Sequence, residues 1–163
     1  FHRGLSLPLL GVEMTPDEAI QFVRDIPRNL GAVDLTRPLG DCREVVRSSI
    51  RENFANQSAP DGSAWQPRKP NPDDDGHPLL DDTGFLKAAA LGLGPGGFDD
   101  LSSKEMSIGI DKSVDLGGIP GAQAHDRGNP STNLPQREFF SPNSEALDHC
   151  GEVLADFIEQ AVF

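Results

Sequence analysis

Carboxylates are the groups in this chain best supplied for chemistry. They cluster as Asp73-Asp74-Asp75, Asp81-Asp82 and Asp99-Asp100. Acid–base catalysis needs a pair of carboxyls in environments that push their pKa values apart. Adjacent acids in loop-like sequence instead imply solvated groups. One spacing goes further: Asn71, Asp73, Asp75, Gly76 and Asp82 fall at the first, third, fifth, sixth and twelfth positions of a calcium loop. There, oxygen ligands wrap a hard cation and a glycine makes the sharp turn. Asn at the first position, Asp rather than Glu at the twelfth, and the stiffening Pro72 and Pro78 all depart from that pattern. The flanks do not read as paired helices either. A solvated acidic turn is the expectation, with a calcium-binding domain as the weaker alternative.

Other chemistry finds little support. His2, His77, His125 and His149 are scattered and make no HxxxH or HExxH spacing for zinc. No GxSxG elbow is present. The glycines fit neither a dinucleotide fingerprint nor a phosphate loop. Cys42 and Cys150 lie in helix-like stretches, outside any CxxC or nucleophile signature. Two reduced, partly buried thiols are expected. The chain reads as non-enzymatic, without a cofactor and without a metal.

Composition narrows the partners. The 163 residues fit one domain. The 26 acidic and 14 basic residues give a net charge of -12. Gripping nucleic acid needs an excess of Lys and Arg to neutralise phosphates, which this chain lacks. With 14 Pro and 17 Gly, about a fifth of the chain is turn-forming. That predicts a modest core with long irregular arms. No apolar run approaches a membrane span. The opening Phe1 to Leu10 is too short for a signal core and is interrupted by Pro8. It reads as an N-terminal arm over residues 1–14.

Thr15-Pro16-Asp17-Glu18 is a helix start: a capping hydroxyl, a proline at the first position and acids at the positive dipole end. A longer helix is expected from about Pro38 to Gln57. Leu39, Cys42, Val45, Val46, Ile50 and Phe54 form its apolar stripe, with Arg43, Arg47 and Arg51 on the other face. Residues 58–82 read as a long loop. Trp65, the single tryptophan, either packs that loop onto the core or anchors into a partner. Residues 83–90 read as a short helix or a strand, with the alanines favouring a helix. Met106, Ile108 and Ile110 alternate as a half-buried strand. Its expected partner strand is Phe85-Leu86 to Leu93, and residues 92–97 read as a flexible link. A second long loop covers 117–134, with a short element around Ala122, Ala124 and His125. Leu134 to Phe140 reads as extended, because Pro135 disfavours helix before it. A last helix follows Ser141-Pro142-Asn143-Ser144-Glu145, with Leu147, Val153, Leu154, Phe157, Ile158 and Val162 on its apolar face. The expected fold is a single α+β domain over 1–163, with helices on one face of a small antiparallel sheet.

Five short motifs stand in order along this frame. Phe54-Ala55-Asn56-Gln57 leads into Pro60-Asp61-Gly62-Ser63-Ala64-Trp65-Gln66-Pro67, a "PDG..W.P" loop. Leu79-Leu80-Asp81-Asp82-Thr83-Gly84-Phe85-Leu86 matches "LLxxTGxL", and Ile108-Gly109 matches a strand carrying "IG". Gly121 to Gly128 matches "YAxxHxxG", with Gly121 where an aromatic is common. Leu134-Pro135-Gln136-Arg137-Glu138-Phe139-Phe140 matches "IPxRxFF", with Leu134 in place of Ile. The order resembles the Mu-type phage virion-morphogenesis family, which includes tail-completion proteins. The match runs from about Val45 to Phe163. The first 35 or so residues match nothing in that pattern.

The resemblance implies a structural virion subunit with no catalytic residues. It implies a ring of its own copies at the head–tail joint, often hexameric, contacting tail-tube and neck or connector proteins while DNA passes through the lumen. Its expected location is the virion, as a tail terminator or tail-completion component. A tail or baseplate adaptor is the alternative. Trp65, Phe85, His125, Arg137, Phe139 and Phe140 are the expected subunit and partner contacts. Gly84 and Gly128 are expected to permit turns that a side chain would block.

Overall fold

A computed structural model of the protein describes residues 5–7, 12–14, 21, 31–70, 76–111 and 121–162. The helix expected from Thr15, Gln21 apart, and the calcium-loop positions Asn71, Asp73 and Asp75 lie outside the described residues. Two compact units are distinguished, one of residues 1–34 and 155–163, the other of residues 35–154. In the first, strands β1 (Leu5–Leu7) and β2 (Val12–Met14) pair antiparallel, with Ser6 opposite Glu13.

The second unit contains helix α1 (Thr36–Asn56), helix α2 (Phe85–Ala90), strands β3 (Gly97–Leu101) and β4 (Met106–Ile110), and helix α3 (Gly121–Arg127). It also holds the start of helix α4 (Ser144–Val162). The fold is α+β. β3 and β4 form a two-stranded antiparallel sheet, on which α1 and α2 both pack. The core cluster comprises Ile50 and Phe54 of α1, Trp65, Leu86, Ala90, Leu91, Ala122 and Phe139.

Helix α1 follows its expected apolar stripe. Cys42, Ile50 and Phe54 are buried, and Val46 packs against the core. The helix ends at Gln57, whose left-handed backbone (φ 50°) turns the chain out. Arg47 corrects the expected solvent face, for it is buried. Its Nε donates to the Leu91 carbonyl at 2.9 Å, and its guanidinium pairs with Glu44 at 2.7 Å and with Asp99. A buried cation is tolerable only when it is paired and its N–H groups are bonded, and both conditions hold here.

The strand at Met106–Ile110 forms as expected, but its partner does not. Residues 85–90 are helical, in keeping with Ala88-Ala89-Ala90. The partner is Gly97–Leu101, beginning within the stretch read as a link. The Phe98 ring lies over Gly109 opposite it, so the missing side chain leaves room for the aromatic. Helix α4 starts where expected, with the Asn143 side chain accepting from the Ala146 N–H at 2.8 Å. Leu147, expected on its apolar face, is 56% exposed, and Ala146 is buried instead.

Candidate functional site

Three of the segments that carry the motifs meet, together with α1, around one length of irregular chain, residues 137–143. This length belongs to no sheet, yet its buried backbone groups need partners. Side chains supply them. The Trp65 indole Nε1 donates to the Glu138 carbonyl at 3.0 Å. Asn53, buried on α1, donates from Nδ2 to the carbonyls of Phe139 (3.2 Å) and Ser141 (2.9 Å). One oxygen of Asp126 on α3 accepts from the N–H groups of Phe139 and Phe140 at 3.0 and 3.1 Å. The Ser49 hydroxyl accepts from the Asn143 N–H at 2.9 Å. The Arg137 N–H donates to the His125 carbonyl at 2.9 Å.

Each motif has a local reason. In the Pro60-Asp61-Gly62 turn, Asp61 accepts from the Ser63 N–H at 2.8 Å, and the Gly62 N–H donates to the Ala59 carbonyl at 2.9 Å. These bonds fold residues 58–64 into a tight return, closed by a Ser58–Ala64 bridge. Trp65 is thereby placed under α1, its own N–H donating to the Gln57 carbonyl at 2.8 Å. Gly84 and Gly128 adopt left-handed backbone (φ 75° and 74°), as expected. At Gly128 a Cβ would also fall 2.9 Å from the Gln136 nitrogen, so any side chain would push the two segments apart. Asn129 and Leu134 exchange both backbone hydrogen bonds at 2.9 Å, returning the chain into residues 134–140.

The rings form the centre. Phe54 meets Trp65 edge-on at 5.8 Å and Phe139 at 5.4 Å, and Phe139 meets Phe140 at 6.4 Å. Such tilted and edge arrangements suit aromatic quadrupoles. Trp65, Phe139 and Arg137 are buried within the chain itself, and Phe140 is half-buried against the core. Their contacts in this structure are therefore the chain's own. Phe85 is 36% exposed. Asp82 is exposed, and its neighbour Asp81 pairs with Lys87 at 3.0 Å. No group of three or more His, Cys, Asp or Glu side chains suited to a metal occurs among the described residues.

Two groups here are electrostatically perturbed. Burial, followed by the nearby Arg137 charge, lowers the pKa of His125, so the imidazole is held neutral. Its Nδ1 is buried without a hydrogen-bond partner among the described residues. Arg137 donates from Nε to the Gln66 carbonyl at 2.9 Å and from its terminal nitrogen toward Pro67 at 3.5 Å. Arg137 thus ties the tryptophan loop to the segment after α3. Alongside lies an open cleft of about 750 Å³, between residues 66–69 and residues 127–137.

Away from this site, Cys42 and Cys150 are free thiols that meet across α1 and α4. Each points at the other's carbonyl, at 3.6 and 3.7 Å. Burial, then the neighbouring thiol, pushes Cys42 up to about 12.

Sequence reasoning reached Trp65, His125, Arg137, Phe139 and Phe140, but missed Asn53, Asp126 and Ser49. The signal for two of them was present. Ser49 and Asn53 are polar residues on the buried stripe of a helix, where a polar group has to bond to something. No family model, curated protein or solved structure matches this chain.

Proposed function

We propose that the chain is a non-enzymatic structural subunit of a tailed-phage particle. In this reading it is a tail-completion or tail-terminator component that assembles with copies of itself into a ring at the head–tail joint. The observation that supports this is the convergence of the motifs. Here the tryptophan loop, the His125–Gly128 element and the Arg137–Phe140 segment interlock through Trp65, Asp126 and Arg137. The motif groups are engaged in holding backbone, which is the work of a scaffold. An acidic subunit with a net charge of -12 also suits a lumen through which DNA slides without sticking.

Particle incorporation tests the proposal. An epitope-tagged chain is expressed during growth of the phage that encodes it, and particles are banded on a density gradient. The tag is expected in the particle band and to remain there after a high-salt wash. Tag confined to the soluble fraction would overturn the reading.

A further inference from the structure

Helix α1 presents one row of side chains to the chain that returns along it. Asn53 donates to the carbonyls of Phe139 and Ser141, Ser49 accepts from the Asn143 N–H, and Cys42 meets Cys150. Asn53, Ser49 and Cys42 follow one another at four and seven positions, which keeps them on one stripe of the helix. Their partners advance from 139 to 150 as the row descends from 53 to 42. The returning segment and the first turns of α4 therefore run back along α1. All of these residues belong to the unit of residues 35–154.

The row ends in its weakest contact. The bonds at Asn53 and Ser49 join nitrogen and oxygen at 2.9 to 3.2 Å. At the far end two thiols each donate to the other residue's carbonyl, at 3.6 and 3.7 Å, and a thiol is a poor donor. Because the crossing is reciprocal, both sulfurs lie in the seam between α1 and α4. They also act on each other directly: after burial, the Cys150 thiol is what raises the pKa of Cys42. Cys42 is buried and Cys150 half-buried, so a reagent in water meets Cys150 first.

We propose that Cys42 and Cys150 form a redox latch, which a small-molecule disulfide closes by oxidising the pair to an intramolecular disulfide. The Cys150 thiolate attacks one sulfur of the oxidant and expels a thiolate, leaving a mixed disulfide. The Cys42 sulfur, as thiolate, then attacks the Cys150 sulfur and expels the second thiolate. Two electrons pass from the cysteines to the oxidant, and the two protons end on the two thiols released. Burial keeps Cys42 protonated and slows the second step, while its position beside Cys150 favours it over any outside thiol. The link spans 108 positions of the chain. Closing so long a loop restricts the unfolded chain strongly. In the folded chain it fixes the first turns of α4 to α1, and so secures both ends of the segment that Asn53 and Ser49 hold. The latch does not depend on the virion role and stands whatever the chain assembles with.

Equilibration of the full, reduced chain with glutathione and glutathione disulfide tests the latch. Samples are quenched in acid, alkylated in denaturant and weighed by mass spectrometry. The folded chain is expected to lose two hydrogens, take up no alkyl group, and yield one proteolytic fragment joining Cys42 to Cys150. At the same glutathione ratio in urea, the link is expected to be roughly tenfold or more less abundant relative to the reduced form, because only the folded chain holds the sulfurs together. The oxidised chain is expected to melt about 5 °C or more above the reduced one, and dithiothreitol to abolish the difference. Cys150→Ser and Cys42→Ala are each expected to remove both the link and the response of the melting point to the oxidant. Two thiols that still alkylate, a bound glutathione that never resolves, or disulfide-joined dimers in place of the internal link would overturn the proposal. So would a link that forms equally well in urea or leaves the melting point unmoved.

Discussion

The β3–β4 hairpin and the irregular segment 137–143 satisfy their backbones differently. The hairpin uses a ladder, with Asp99 opposite Ile108 and Leu101 opposite Met106. The other segment has no ladder and relies on Asn53, Trp65, Asp126 and Ser49, drawn from two helices and a loop. A ladder depends little on side-chain identity. A backbone bonded by side chains needs particular ones, each at a fixed place. Three of the five motifs therefore gather around 137–143, and the hairpin carries only Ile108-Gly109.

Substitutions around the two regions should separate them. The largest effect is expected at Phe139, which is fully buried against Phe54. Phe139→Ala should cost about 4 kcal/mol in chemical denaturation, through lost transfer energy and a cavity. Next comes Arg47, which ties α1 to the hairpin through Asp99. Arg47→Ala leaves that carboxylate without its closest partner and should cost about 3 kcal/mol. Asn53→Ala strands two carbonyls of the ladder-free segment and should cost about 2 kcal/mol. Its counterpart in the hairpin, Asp100→Asn, alters an exposed position and should stay within about 0.5 kcal/mol. Equal losses for Asn53→Ala and Asp100→Asn would erase the contrast.

Acid should sharpen it. His125 beside Arg137 has a folded pKa below its ordinary 6.5. The unfolded chain then takes up a proton more readily than the folded one as pH falls. Stability should be level above about pH 6.5 and decline below it, toward the lower folded value. His125→Gln should flatten the decline, measured as denaturation midpoints against pH. The smallest effect lies outside both regions. With its thiol pushed up to about 12, Cys42 should resist alkylation at neutral pH until the protein unfolds, as read by mass spectrometry.

The same contrast governs what could be read from the chain. Helix α1 and strand β4 announce themselves through apolar spacing. Strand β3 does not, because its inward positions include Gly97 and Asp99, and Asp99 is bonded by arginines some fifty residues away. Arg47 looked solvent-facing for the same reason: Leu91 and Asp99, the partners that bury it, lie outside α1. Leu147 looked buried because it is apolar, although Ala146 takes the inward position. Cys42 and Cys150 are 108 residues apart, and nothing local marks their meeting. Trp65 and Phe139 were legible as members of a motif, but the bond from the Trp65 indole to the Glu138 carbonyl needed the fold.

A reconstruction of the parent phage particle tests the central claim most directly. Density for this chain should form a closed ring where the tail meets the neck, with Trp65 and Phe139 buried inside each subunit. A particle whose neck and tail contain no copy of the chain would contradict it.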